Sequence, residues 1–374
     1  MSGTEAISRA LQSKTVLVCV GAGGVGKTTV AASLALRAAS GEDRSALVCT
    51  IDPARRLANS LGLGELGNEE LRIGEEIFRA AGVPAKAPLH AMMLDMKRSW
   101  DELVERHAPP DRRQAILQSR FYQALSTRLA GSQEYIAMVK LVQLRQRSQH
   151  GLVVLDTPPT AHALDFLDAP NRILDFLDND AAKFLLTPAL AAGKIGLRFL
   201  NFGTNYVAKG LAKFTGTETL QELAAFMQSI SSLNESFREG SRQVREMMTA
   251  KTTSFVLVTA PARERLDEAI HFHTLLRQNG MSVCAVVVNR MHFAPPPEAL
   301  DAARALEPSL RGRVEQTLEE QRDLAAHDAA AVAQLRKTCA PTPLVLVPRF
   351  ERDVHDLSGL WETSKYLVGE RLAE

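Results

Sequence analysis

Residues Gly21–Thr28 read Gly-Ala-Gly-Gly-Val-Gly-Lys-Thr and stand between a β-branched apolar run, Thr15–Val20, and a helical pattern, Thr28–Ala39. A G-x-x-x-x-G-K-[ST] spacing in that strand-to-helix position constrains the fold more than any other stretch of the chain. Glycines allow the tight path that turns successive backbone N–H groups toward phosphate oxygens, and the following helix adds its positive N-terminal end. Gly21, Gly23, Gly24, Val25 and Gly26 are therefore expected to cradle phosphate, with Thr29 in the first helical turn. Lys27 is expected at the β- and γ-phosphates of ATP and the Thr28 hydroxyl on Mg²⁺. A plain glycine turn explains neither the Lys-Thr pair nor its placement.

The rest of the chain repeats this alternation. Apolar runs occur at Thr15–Val20, Ala46–Ile51, His90–Asp95, Leu152–Asp156, Phe255–Thr259, Val283–Asn289 and Leu344–Val347. Most are continuous, as in strands buried on both faces, so the expected fold is α/β with a doubly wound, mostly parallel sheet. We read one domain over residues 1–374, carrying helical insertions at about 61–150 and 165–250. In the second insertion Leu220, Leu223, Met227, Ile230 and Phe237 follow helical spacing, with Asn234 where an apolar residue belongs. Pro295–Pro297 marks a connection before a helical run from Glu298 to about Lys337.

Strands of a parallel sheet share one carboxyl edge, and ligands bind there. Asp156 closes the run Leu152–Leu155, the position of the carboxylate that serves the metal beside a phosphate loop. Asp52 ends the second run at the same edge. Net charge is +1 and no surface-wide basic excess suggests nucleic acid. No apolar run reaches the roughly 18 residues of a spanning helix and no leader precedes the first strand, so the expected location is cytoplasmic, with peripheral membrane attachment as the alternative. Cys19, Cys49, Cys284 and Cys339 are scattered, the first three within strand-like runs where a thiol acts as a small hydrophobe.

Together, Gly23–Thr29, Asp52-Pro53-Ala54, Asp156-Thr157-Pro158-Pro159-Thr160-Ala161-His162, Val287-Val288-Asn289 and Val347-Pro348 resemble the arsenical-pump and tail-anchored-protein-targeting ATPase family, anion-transporting P-loop ATPases of the deviant Walker A, SIMIBI type. The resemblance implies ATP hydrolysis with Mg²⁺. It makes Asp52 the group that orients the attacking water and, with Lys27, the catalytic pair. It makes Thr28, Asp52 and Asp156 the metal-side residues, Asn289 the reader of the adenine, and Pro348, Arg349 and Phe350 the loop that closes over the base.

The departures matter as much. Members of that family carry a signature lysine that crosses a dimer interface to the partner's phosphates, and Ala22 occupies its place here. Arg55 and Arg56 offer one replacement; the other is a hetero-oligomer in which a signature-lysine homologue supplies the charge. The second resembles a bacterial branch that pairs unlike subunits, through Asp52–Leu57 and His90–Lys97. The hetero-oligomer is the favoured assembly and a homo-oligomer the other, and a catalytically weak regulatory subunit is the alternative function. The arsenite pump's three-cysteine site has no counterpart among the scattered cysteines, and His162 matches a family histidine without partners.

Between Asp180 and Glu218 there is no acidic residue, while Lys183, Lys194, Arg198, Lys209 and Lys213 alternate with aromatic and aliphatic side chains. Three readings of this basic amphipathic stretch stand open: a core helix pair with snorkelling lysines, a groove for a hydrophobic client helix or membrane protein, and a patch against an anionic membrane.

Overall fold

Five apolar residues in succession, Val16–Val20, form strand β1, and all five are buried. The same holds for β2 (Ala46–Thr50) and β5 (Leu152–Asp156), whose continuous burial requires cover on both faces. A computed structural model describes residues 1–51, 56–128, 132–147, 149–158, 222, 225–226, 229–230 and 232–371. With β3 (Leu71–Arg72), β4 (Leu89–Met93), β6 (Thr253–Thr259), β7 (Val283–Met291) and β8 (Leu344–Pro348), the strands make one eight-stranded sheet in the order β3-β4-β2-β5-β1-β6-β7-β8. Every pairing is parallel except β3 with β4 at the edge. The expected doubly wound, mostly parallel α/β sheet is what the chain forms.

The chain divides into two compact units. The first, residues 1–94, 147–163 and 247–374, holds the whole sheet. Its buried core joins β1, β2 and β5 to the helix Lys27–Ser40, whose Val30, Ala31, Ala32, Leu34, Ala35 and Leu36 are fully covered. Small alanines at those positions let the helix lie close to the strands it follows. Its last turn is tied to the helix Leu357–Val368: Arg37 pairs with Glu370, and its guanidinium sits 5.2 Å from the Trp361 ring. Asp356 caps that second helix by accepting from the Gly359 amide at 2.8 Å.

The second unit, residues 95–146 and 164–246, is helical where described. Asp95 starts its first helix, Met96–His107, by accepting from the Arg98 amide at 2.9 Å. Trp100, Tyr135 and Phe237 pack with ring centroids 5.9 Å apart, all three buried. The Tyr135 hydroxyl donates to the Phe237 carbonyl at 3.2 Å, so the polar end of that cluster is satisfied.

Three sequence expectations change. Residues Leu61–Gly74, expected helical, form turns and the edge strand β3, and the next helix starts only at Glu75; Gly62, Gly64 and Gly67 lie within seven residues and make a helix there costly. Ile230 is helical but Ser232 and Leu233 form a turn, so Asn234 opens a fresh helix, Asn234–Thr249, instead of flawing a continuous one. The run after Pro297 is two helices, Pro297–Arg304 and Pro308–Thr338, because Pro308 takes the first position of the second. Cys19 and Cys49 are buried as expected of strand residues, Cys284 is half-buried, and Cys339 is buried at the end of the long helix. Among the described residues no helix is long and apolar enough to cross a membrane. The basic stretch between Asp180 and Glu218 lies outside the described residues, as do Asp52, Pro53, Ala54, Arg55 and His162.

Candidate nucleotide site

Because β1, β2, β5, β6, β7 and β8 run parallel, their carboxyl ends meet along one edge of the sheet. Val20 ends β1 there and the glycine loop departs from it. Asp156 ends β5, paired in register with Cys19 of β1 and Thr50 of β2. Topology alone thus brings the loop and the carboxylate together from positions more than a hundred residues apart.

The contacts are specific. Thr28, in the first turn of the helix Lys27–Ser40, donates its hydroxyl proton to Asp156 Oδ2 at 2.8 Å. Thr50 donates to the same oxygen at 2.9 Å. Asp156 and Thr50 are buried, and Thr157, next in sequence, donates its hydroxyl to the Cys19 carbonyl at 2.9 Å. Burial first, then the Asp156 carboxylate, pushes the Cys19 thiol well above the usual range, so this cysteine stays protonated beneath the site.

Lys27 is 6% exposed and its ammonium donates to the Ala22 carbonyl at 2.7 Å, folding the side chain back over the loop it belongs to. Ala22, where the sequence lacks the signature lysine, is itself buried. Gly21 leaves β1 against the Val258 carbonyl, and a Cβ there would stand 2.0 Å from that oxygen. Gly26 caps the helix in the left-handed region at φ 92°, and a Cβ on it would lie 2.2 Å from Asn289 Nδ2.

Asn289 is buried at the end of β7. Its Nδ2 donates to the Val25 carbonyl at 3.0 Å, and its Oδ1 accepts from the Arg290 amide at 3.0 Å. The side chain expected to read a base is therefore also a brace for the glycine loop. Arg290 follows with φ 63°, a left-handed backbone uncommon for a residue with a side chain.

A cavity of about 1600 Å³ opens over these groups. Gly23, Gly24, Gly26, Lys27, Thr28 and Thr29 line one part, and Asn289–Pro296 with Pro348–His355 line another. Arg56, at the start of the helix Arg56–Ser60, lines it too. Of the residues singled out from sequence, the loop, Asp156, Asn289 and Pro348–Phe350 thus share one edge of the sheet; Asp52 lies outside the described residues.

The donor set suits a nucleotide with its metal. Gly24 sits at φ 78°, and no atom lies within 4 Å of where its Cβ would be, so the loop faces open space there. A hydroxyl and a carboxylate oxygen 2.8 Å apart are hard oxygen donors of the kind Mg²⁺ takes together with phosphate oxygens. Among the described residues, no three His, Cys, Asp or Glu side chains gather as a separate metal site.

The comparison with known proteins follows the same geometry: residues 14–327 match the family described as anion-transporting ATPases. The chain belongs to that family. As a member of this ATPase family it is an ATP-binding protein. It is 27% identical over 281 residues to the ATPase GET3 of Malassezia globosa, covering 75% of this chain and 73% of that one. It is 26% identical over 284 residues to the ATPase ARSA1 of Chlamydomonas reinhardtii, covering 72% of this chain and 34% of the relative. A putative arsenical pump-driving ATPase of Chlorobaculum tepidum is 24% identical over 280 residues, covering 74% and 61%. The chain thus spans about a third to three quarters of these relatives' own length.

Sequence reading gave no part to Thr50, His292 or Asp328. A threonine ending the strand beside Asp156 was a usable signal for the first. Asp328 had none, since it sits inside a 31-residue helix and reaches His292 from 36 residues away.

Proposed function

We propose that this chain is an ATP-hydrolysing subunit whose cycle of nucleotide-dependent association is coupled to its helical insertion. The Thr28–Asp156 hydrogen bond at the mouth of the glycine loop carries the reading, since it joins the two oxygens that would hold Mg²⁺. Bound there, the metal would neutralise charge that develops on the phosphates. Lys27 leaves the Ala22 carbonyl for the β- and γ-phosphates, and the amides of the first helical turn add fixed donors. Asp52 orients the attacking water, and Asn289 with Pro348–Phe350 receives the base. Substituting Lys27→Ala should abolish tight ATP binding, while Asp52→Asn should keep binding and remove hydrolysis; turnover surviving in the second variant overturns the catalytic assignment.

Ala22 supports a second reading, a nucleotide-binding regulatory subunit with little turnover of its own. Alanine carries no charge, so a cation at that place must come from elsewhere. Arg56, which lines the cavity, is the internal candidate; a signature-lysine homologue is the external one. Mixing the purified chain with such a homologue separates these readings. A large gain in ATPase rate supports the mixed oligomer, whereas an unchanged slow rate supports the regulatory role. The basic amphipathic stretch between Asp180 and Glu218 and the family resemblance both suggest a hydrophobic client for the insertion, and pull-down with an apolar helical peptide tests it.

A further inference from the structure

The proposed chemistry gives Arg349 a place at the base but leaves two side chains linked to it, His292 on the cavity wall and Asp328 bonded to His292, without a task. His292 stands just past β7, three residues beyond Asn289. Its backbone N–H donates to Asp328 Oδ2 at 2.9 Å, and its ring Nδ1 lies 2.9 Å from the same oxygen. The Asp328 side chain is 7% exposed, on the helix Pro308–Thr338. A carboxylate only accepts, so Nδ1 carries the proton and, in the neutral ring, Nε2 is left as an acceptor. Arg349 Nη1 meets that nitrogen at 3.3 Å. Arg349 is anchored at its other end too, its backbone N–H donating to the Met291 carbonyl at 2.9 Å.

Every donor among these three side chains points the same way, from Arg349 to His292 to Asp328. We propose that Asp328 and His292 are positioning residues for Arg349, and that Arg349, held this way, forms part of the wall against which ATP binds at the end of the pocket away from the glycine loop. The inference rests on the ATP-binding reading above. An exposed arginine samples many rotamers, and ordering it during binding costs affinity; ordering it beforehand through a buried carboxylate removes that cost. Asp328 is well suited, because two donors from His292 fix it before any ligand arrives.

The two ends of the ring can be tested separately. His292→Asn keeps an amide donor near Nδ1 for Asp328 but removes the partner of Arg349. His292→Gln keeps an acceptor near Nε2 but loses the side-chain contact with Asp328, leaving only the backbone N–H on that carboxylate. With the full chain, ATP affinity is measured by calorimetric titration and KM by steady-state hydrolysis.

Arg349→Ala and His292→Asn should each weaken ATP binding about 2–10-fold, with KM for ATP rising in step. The double variant should bind no worse than Arg349→Ala alone, because both remove one contact. His292→Gln should recover only part of the lost affinity, because its side chain no longer meets Asp328. Losses that multiply in the double variant, or ATP affinity unchanged in Arg349→Ala, overturn the proposal; the exposed Arg349 gives this second measurement even if the His292 variants do not fold. A wild-type chain that does not bind ATP overturns the parent reading instead.

Discussion

Thr28 Oγ1 lies 2.8 Å from Asp156 Oδ2, and Thr50 Oγ1 approaches the same carboxylate oxygen at 2.9 Å from the neighbouring strand. One buried oxygen thus gathers a donor from the phosphate loop and a donor from the sheet. Thr50 holds the carboxylate in place from the sheet, whereas Thr28 would share it with Mg²⁺ in the proposed nucleotide complex.

Thr50→Val keeps the shape of the side chain and removes its donor. Losing a hydrogen bond to a buried carboxylate costs about 1–3 kcal/mol, so the urea midpoint should fall with an unchanged slope. Affinity for ATP in the presence of Mg²⁺ should fall more than affinity in its absence. Equal affinities for wild type and variant in both conditions would show that Thr50 does not orient Asp156.

The glycine loop offers a contrast between two left-handed residues. Gly24→Ala meets nothing within 4 Å and should cost about 1 kcal/mol of backbone strain with ATP binding weakened modestly. Gly26→Ala places a methyl 2.2 Å from Asn289 Nδ2, so it should destabilise the fold more and abolish tight binding. Removing the obstacle with Asn289→Ala should recover part of the stability of Gly26→Ala. Thermal melts of the two single variants and the double variant decide this, and additive losses would contradict the packing described here.

Acid should weaken the fold. Burial lowers the pKa of His90, with His150 adding to the shift; burial and then Arg106 lower His107; burial and then Arg277 lower His273. The unfolded chain therefore binds these protons more readily than the folded one. Their contribution is full above the ordinary histidine value of about 6.5 and is lost as pH falls from there through the depressed folded values. Asp356, held low first by the Gly359 amide, extends the decline into the carboxylate range. Unfolding free energies from urea titrations at a series of pH values should fall steadily on acidification; a flat profile between pH 7 and 5 would contradict the assignment.

Each compact unit carries one tryptophan, Trp100 in the second and Trp361 in the first. In a Trp361→Phe background, Trp100 emission reports the second unit alone. Phe237→Ala opens a void beside Trp100 and Tyr135, and truncating a buried aromatic costs about 3–5 kcal/mol. The expected result is a large fall in the Trp100 transition midpoint. A midpoint shifted by less than the error of the measurement would mean that the three-ring cluster is not the centre of that unit's core.

Much of the site could be read along the chain because its recognition signals are local. Gly21–Thr28 lie in one turn, and their spacing alone specifies a strand before and a helix after. Asp156 could be placed because it ends an uninterrupted apolar run, and parallel strands bring their ends to one edge. The turns at Gly62–Gly67 and at Ser232–Leu233 are harder to read, since an insertion of helical character surrounds the first and apolar helical spacing runs across the second.

By itself, the sequence determined the parallel α/β sheet, the phosphate loop, the carboxylate at the end of β5, and the absence of a lysine at Ala22. All follow from residue type and local period. Only the tertiary structure decided that Thr50 shares Asp156 with Thr28, that Asn289 braces the loop through the Val25 carbonyl, and that Asp328 reaches His292 and through it Arg349. Those partners lie on separate strands and helices, where no sequence period links them. Their meeting is set by strand order, by the register of β2, β5 and β1, and by which helix face packs on β7.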